Sequence, residues 1–270
     1  MSITQSQLEG KTILLTGATR GVGRAIALKF APHCVNFGLL GRSSENLEKV
    51  GDDVKSLGSN PFLMAVDLRE PQLIENVVRR FTERYGSPHI LINNAGIGDR
   101  RHWKHLSAKD ELDMMAVNYI APVLLTRLLL PGMLERSGPS QILNINSVAG
   151  LYTSPYTGAY CASKAALLAY FTSLAHELEN TSVKISSIFT GPVNTDFMSH
   201  SGFACFKNRK DILTPDKVAQ IALQAVTHPQ ERIFVGSPLN FLLIKLVNLQ
   251  PLWFRKWIES RNPPPLPKTN

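Results

Sequence analysis

The sequence predicts an α/β fold: a doubly wound, seven-stranded, mostly parallel sheet with helices on both faces. Three observations point there. Short runs that are apolar throughout alternate with longer segments of helical periodicity, the rhythm of strands buried on both sides and of the helices that bury them. Glycine and proline fall at the joints, at Gly58, Gly86, Gly138-Pro139 and Gly191-Pro192, where the chain must turn. The first apolar run leads directly into a glycine-rich turn and then a helical segment, as a parallel βαβ unit begins.

In chain order, strands are expected at Thr12–Thr16, Asn36–Leu40, Pro61–Val66, Ile90–Asn93, Gln141–Ile145, Lys184–Phe189 and Arg232–Val235. Helices are expected between them at Val22–Ala31, Glu45–Ser56, Gln72–Tyr85, Lys109–Leu130, Tyr156–Glu179 and Pro215–Thr227. Pro122 falls inside the fourth helical stretch and should start or kink it, because proline supplies no N–H to the preceding turn. No internal repeat and no interdomain linker break the pattern, so residues 1–236 read as one domain and residues 237–270 as an apolar and basic extension with a proline-rich end.

Composition narrows the function classes. The 270 residues include 44% hydrophobic and 19% charged side chains, which excludes a disordered or collagen-like chain and leaves ample material for a core. Cys34, Cys161 and Cys205 are odd in number and scattered; they read as free thiols in a reducing compartment rather than as a disulfide framework or a zinc site. Residues 1–9 show no basic and apolar leader pattern, so no secretory signal and a cytoplasmic location are expected. Of the formal net charge of +8, most lies between Lys207 and Asn270, where 10 Lys+Arg stand against 4 Asp+Glu. The rest of the chain lacks the basic surplus of a nucleic-acid binder.

Gly17, Gly21 and Gly23 lie in the sequence Thr16-Gly17-Ala18-Thr19-Arg20-Gly21-Val22-Gly23, between a strand and a helix. Such a turn lets a pyrophosphate approach bare amide N–H groups at the helix N-terminus, where the helix dipole favours an anion. A tight joint without a ligand would read the same way. At the end of the second strand, where a carboxylate would grip a ribose 2′-hydroxyl, the chain has Leu39-Leu40-Gly41-Arg42-Ser43. Arg42, helped by Arg20, offers forked, charge-assisted hydrogen bonds to a 2′-phosphate. The pattern therefore predicts a Rossmann-type site for NADP(H) rather than NAD(H); the bland alternative is two solvated surface arginines.

Tyr160 and Lys164 are spaced i, i+4 and share one helix face. Ser147 stands near the end of the fifth strand, and Asn118 within the fourth helical stretch. Together with Asn93-Asn94-Ala95-Gly96 after strand four and Asp67-Leu68 after strand three, in this order and spacing from about Leu8 to Gly236, they resemble the short-chain dehydrogenase/reductase family. The resemblance implies a catalytic set of Asn118, Ser147, Tyr160 and Lys164. It implies a cofactor site in which Gly17, Thr19, Arg20, Gly21, Val22 and Gly23 form the pyrophosphate turn and Arg42 the ribose-phosphate contact. In it Asp67 would bond the adenine amino group, Leu68 would line the adenine pocket, Asn94 would lie by the nicotinamide ribose, and Val193 with Thr195 would hold the carboxamide. Tyr160 and Lys164 would also border the cofactor, Lys164 reaching the ribose hydroxyls, and Asn118 would hold a water that returns protons to Lys164. The family's usual Pro-Gly after strand six is here Thr190-Gly191.

The chemistry also follows from the residue types. A ketone accepts hydride when its oxygen is polarised and receives a proton. Tyr160 can supply that proton, with its phenol acidified from about 10 toward about 7 by the neighbouring Lys164 ammonium and the oxidised nicotinamide. Cys161 and His176 read as structural. The expected function is an NADPH-dependent carbonyl reductase; a catalytically silent NADP(H)-binding regulator or scaffold is the alternative, and alcohol oxidation with NAD⁺ a third class.

The stretch Asp196–Leu213, with Phe197, Met198, Phe203 and Phe206, would form the lid in relatives and suits a hydrophobic substrate; those side chains equally suit packing onto the lid's own domain. Residues 238–258 combine leucines, Trp253, Phe254 and Trp257 with Lys245, Arg255 and Lys256. This composition suits a lipid–water boundary with anionic headgroups, and falls short of a spanning helix; a helix covering the core or a dimer interface is the other reading. The resemblance further implies a homo-oligomer built through the long fourth and fifth helices.

Overall fold

The computed structural model describes residues 7–200, 202–206 and 211–236, together with Ser260. The segment 238–258, the tail 262–270 and the boundary at residue 237 lie outside the described residues.

Seven parallel strands form one sheet: β1 (Thr12–Thr16), β2 (Asn36–Gly41), β3 (Asn60–Ala65), β4 (Ile90–Asn93), β5 (Ser140–Ser147), β6 (Val183–Thr190) and β7 (Arg232–Val235). Their spatial order is β3-β2-β1-β4-β5-β6-β7. The order reverses between β1 and β4, and a doubly wound sheet opens its ligand crevice at the carboxyl ends of the strands flanking that reversal.

The helices are α1 (Gly21–Phe30), α2 (Ser44–Ser56), α3 (Ile74–Tyr85), α4 (Ala108–Met115), α5 (Ala121–Glu135), α6 (Gly158–Glu177), α7 (Asp196–His200) and α8 (Pro215–Thr227). Alternation along β1 sends Ile13 and Leu15 into one core, with Ile26 and Phe30 of α1, Val50 of α2 and Ala222 of α8. Leu14 enters the opposite core, with Phe81 of α3, Leu125 and Leu129 of α5, and Phe171 of α6. Both faces are apolar because both are covered, which is why the strands lack polar alternation.

Three expectations change in detail. The stretch expected as one helix at Lys109–Leu130 is α4, a π turn at Ala116–Ile120, and α5. Pro122 follows the π turn directly in the first turn of α5, where the helical run continues through αR backbone at Ile120 and Ala121, so its missing N–H interrupts the bond ladder without ending the helix. Helix α6 begins at Gly158, not Tyr156, because Tyr156 adopts φ 70° and its carbonyl accepts from the Arg101 N–H. Strand β5 runs on to Ser147, two residues beyond the expected Ile145, and so carries that hydroxyl to the sheet's edge. The run Ala108–Glu135 has the length and composition of a membrane span, yet in this fold its buried side chains pack onto the sheet and α3.

Candidate active site

The glycine turn is built by close approach. A Cβ on Gly23 would lie 2.0 Å from the Gly17 carbonyl oxygen, and Gly17 itself has φ +68°, so neither position accepts a side chain without displacing backbone. Asn94 braces the turn: its Nδ2 donates to the carbonyls of Thr16 (2.9 Å) and Gly17 (3.2 Å). Thr16 Oγ1 in turn accepts from the N–H groups of Asn94 and Ala95, each at 3.0 Å. Helix α1 starts with no side-chain cap and no acid in its first turn, leaving its N-terminal amides and dipole for an external anion.

A crevice of about 440 Å³ opens along this edge, and Gly17, Thr19, Arg20, Gly21, Val22, Gly23, Arg42, Asp67, Leu68, Asn94, Ser147, Tyr160, Lys164, Val193 and Thr195 all line it. Asn118 alone of the expected set stands behind the wall, fully buried. Arg20 and Arg42 are exposed, with no carboxylate in hydrogen-bond contact among the described residues. A capless helix, a side-chain-free turn and two uncommitted guanidiniums fit the pyrophosphate and phosphorylated ribose of a dinucleotide.

The polar centre lies where β5 and α6 meet. Burial, and less strongly the Cys161 side chain, push the Tyr160 phenol up to about 12, against a hydrogen bond from Ser147 that pulls the other way. Burial lowers Lys164 to about 8, and its Nζ donates to the Ile145 carbonyl at 3.2 Å. The expected acidification of the phenol toward 7 by Lys164 is therefore not a property of the chain by itself. Desolvation outweighs any help from the ammonium, which is turned toward a backbone carbonyl.

Asn118 occupies the π turn. Its Oδ1 accepts from the Ile97 N–H at 2.9 Å, and its Nδ2 donates to the Ile97 carbonyl (2.8 Å) and to Ser163 Oγ (2.9 Å). Both amide protons are spent on holding the loop after β4 against α6. A Cβ at Gly96 would stand 3.4 Å from Asn118 Oδ1 and 3.7 Å from Lys164 Nζ, so the bare glycine keeps the space between them open.

Aromatic rings close the other end. The Tyr160 ring lies 6.0 Å from Phe197 and 5.7 Å from Phe203, and those two stack on each other at 5.6 Å. After β6 the chain is pinned by Leu213, whose N–H donates to the Pro192 carbonyl and whose carbonyl accepts from Asn194, each at 2.8 Å. This clamp presents Val193 and Thr195 to the crevice although Thr190 replaces the family's proline.

Several lining residues have no sequence signal. Tyr152, Ser154 and Thr157 reach the crevice from the irregular run between β5 and α6, where no periodicity marks a face. Arg69 lines the nucleotide end and holds Asp67 through a turn of two residues. Charge at Asp-Leu-Arg was visible, but not the turn that brings the two side chains together. Among the described residues no His, Cys, Asp and Glu group could hold a metal ion.

Residues 11–202 match the family described as short chain dehydrogenase. The chain belongs to that family. It is 32% identical over 269 residues to a Drosophila melanogaster dehydrogenase/reductase SDR family protein 7-like, covering 95% of this chain and 82% of that one. It is also 32% identical over 241 residues to the ketoacyl reductase HetN of Nostoc sp., covering 89% and 84%. Among solved structures, a short chain dehydrogenase/reductase from Burkholderia phymatum in complex with NAD superposes with TM-score 0.82 at 25% identity, covering 97% of this chain and 99% of that one. A metagenomic short-chain oxidoreductase in complex with NADP gives 0.73 at 28% identity, covering 84% and 97%. Membership sets the short chain dehydrogenase fold and the oxidoreductase class.

Proposed function

We propose that this short chain dehydrogenase is an NADPH-dependent reductase of ketones on hydrophobic compounds. The observation that carries the reading is the buried Tyr160 phenol lining a crevice that is cationic at one end and aromatic at the other. When bound, the cofactor supplies the hydride. The chain's own residues do the rest. The turn Gly17–Gly23, with Thr19 and Val22, receives the pyrophosphate, and Arg20 with Arg42 the 2′-phosphate. Asp67 and Leu68 border the adenine, Asn94 and Lys164 the inner ribose, and Val193 with Thr195 the carboxamide.

At the reacting carbonyl, Ser147 donates a hydrogen bond to the oxygen and Tyr160 delivers the proton. A phenol raised to about 12 is fully protonated at neutral pH, and it is still a much stronger acid than the secondary alcohol formed. Transfer to the nascent alkoxide is thus downhill. Lys164, at about 8, remains largely protonated at pH 7 and can restore the Tyr160 proton. Asn118 positions this relay through Ile97 and Ser163; a water toward Lys164 would use its backbone or the remaining lone pair of Oδ1.

The name of the Nostoc relative, a ketoacyl reductase, supports carbonyl reduction, while the NAD complex of the Burkholderia neighbour makes Arg42 the feature on which NADPH preference rests. The exposed Leu112, Leu128 and Leu134 of α4 and α5 support a homo-oligomer that covers them. The composition of 238–258 supports peripheral attachment to a cytoplasmic membrane surface, testable by flotation with vesicles. The main reading is tested by fluorescence titration with NADPH and NADH and by NADPH consumption over ketones of graded chain length. It expects at least tenfold tighter NADPH and rates rising with apolar length. Equal binding, or no ketone reduced, would overturn it.

A further inference from the structure

A carboxylate at the nucleotide end poses a problem that the fold has to solve. Asp67 and Arg42 follow paired ends of β3 and β2, where the Val66 N–H donates to the Gly41 carbonyl at 2.8 Å, and both line the crevice; the Asp67 carboxyl is held below its usual range chiefly by the Arg69 hydrogen bonds and least by the Arg42 charge. Left to itself, this acid would draw Arg42 into an ion pair and repel an incoming phosphate. Arg69 prevents this. Its backbone N–H donates to Asp67 Oδ1 at 3.0 Å, its Nε lies 3.1 and 3.0 Å from the two carboxylate oxygens, and its Nη2 donates to Oδ2. A carboxylate accepts about four hydrogen bonds, so the three N–H groups of this fork take most of that capacity and leave room for one outside donor such as an adenine amino group.

Arg69 is itself steadied from the far side by Asp113 of α4, 3.7 Å from its Nη1, and Asp113 is shared with Lys109 at 3.1 Å. Arg42, exposed like Arg69, has no such fork to satisfy.

We propose that Arg69 is a positioning residue for cofactor selection: by occupying Asp67 it keeps Arg42 free for the ribose 2′-phosphate. This rests on the NADPH reading above and deepens it. The preference for the phosphorylated cofactor then depends on a residue that need not touch the phosphate, and the damage from losing Arg69 is repaired by removing the acid it restrains. A lysine at 69 repairs only part of it, because an ammonium lacks the planar fork that sets Nε and Nη2 side by side on the carboxylate.

Two measurements separate this proposal from the reading beneath it. In the cofactor-free protein, NMR of arginine Nε–Hε groups should show rapid solvent exchange at Arg42. In Arg69→Gln the Arg42 signal should become protected as it moves onto Asp67, and in Asp67→Asn/Arg69→Gln it should be fast again. An Arg42 signal that Arg69→Gln leaves unchanged would overturn the proposal whatever the cofactor. Titration then gives the ratio of NADH to NADPH dissociation constants. Arg69→Gln should reduce this ratio at least fivefold, Asp67→Asn/Arg69→Gln should recover most of the loss, and Asp67→Asn alone should not lower it. A double variant as impaired as the single one would overturn the proposal, since Arg69 would then be needed for itself. A wild-type ratio near one would instead overturn the NADPH reading, leaving the exchange experiment to decide the role of Arg69. Thermal unfolding of each variant separates loss of fold from either outcome.

Discussion

The two ends of the crevice are made of different material. The nucleotide end consists of backbone amides, glycines that cannot bear a side chain, and guanidiniums on short strand-to-helix joints. The substrate end consists of side chains from segments far apart in sequence: Tyr152 and Ser154 before α6, Phe197 on α7, and Phe203 beyond it. Backbone and fixed charge recognise a constant ligand, while interchangeable apolar side chains define a variable one. A family can thus keep one end and alter the other, so this chain's substrate is written where the sequence is least regular.

The largest effect should come from breaking the backbone end. Gly23→Val would drive a side chain into the Gly17 carbonyl and the Asn94 amide. NADPH affinity should fall by more than about 100-fold, with stability lowered by about 1–3 kcal/mol as in other overpacked sites. Fluorescence titration and denaturant melts would check both, and ketone length preference at saturating cofactor should remain.

Next in size is Arg42→Gln. Removing one charge-assisted phosphate contact, about 1.5–3 kcal/mol, should weaken NADPH roughly 10- to 100-fold while leaving NADH almost unchanged. Equal losses for both cofactors would mean that Arg42 supports the fold rather than reading the ribose.

At the other end, Phe203→Ala removes a ring packed on Tyr160 and Phe197. Aromatic pairs of this kind contribute about 0.5–1.5 kcal/mol beyond area. KM for long-chain ketones should rise about tenfold with NADPH affinity within twofold of wild type, and a matching loss of NADPH binding would show that the two ends are not separable.

The smallest effect expected is on stability. Lys164 is lowered to about 8 by burial, against an unfolded value near 10.4. Between those values the unfolded chain binds more protons, so this residue makes stability rise with pH from about 8 toward 10. Above about 10, Tyr160 opposes it, because its raised pKa lets the unfolded state deprotonate first. Urea unfolding at pH 8 and 9.5 should show a smaller rise for Lys164→Met than for wild type.

The same contrast explains what could be read in advance. Strand β1 and its turn were legible because Thr12–Thr16 is apolar throughout and the glycines follow at once; the i, i+4 pair on α6 was legible because helical spacing fixes which side chains share a face. Three things were not. The π turn holding Asn118 carries the same apolar periodicity as the helix around it. The left-handed backbone at Tyr156, which delays α6, has neither glycine nor asparagine to announce it. The Asp67–Arg69 fork depends on a turn after β3 that no hydrophobic pattern encodes, and the raised phenol pKa depends on burial beneath rings up to 43 residues away in sequence, at Phe203 and Phe197.

The central claim is that Tyr160 gives the proton and does little else. Tyr160→Phe should bind NADPH within about twofold of wild type and retain its melting temperature, while the rate of ketone reduction falls by at least about 100-fold, the lower range for removing a general acid. Ketone reduction at near wild-type rate in that variant, with NADPH bound normally, would contradict the account.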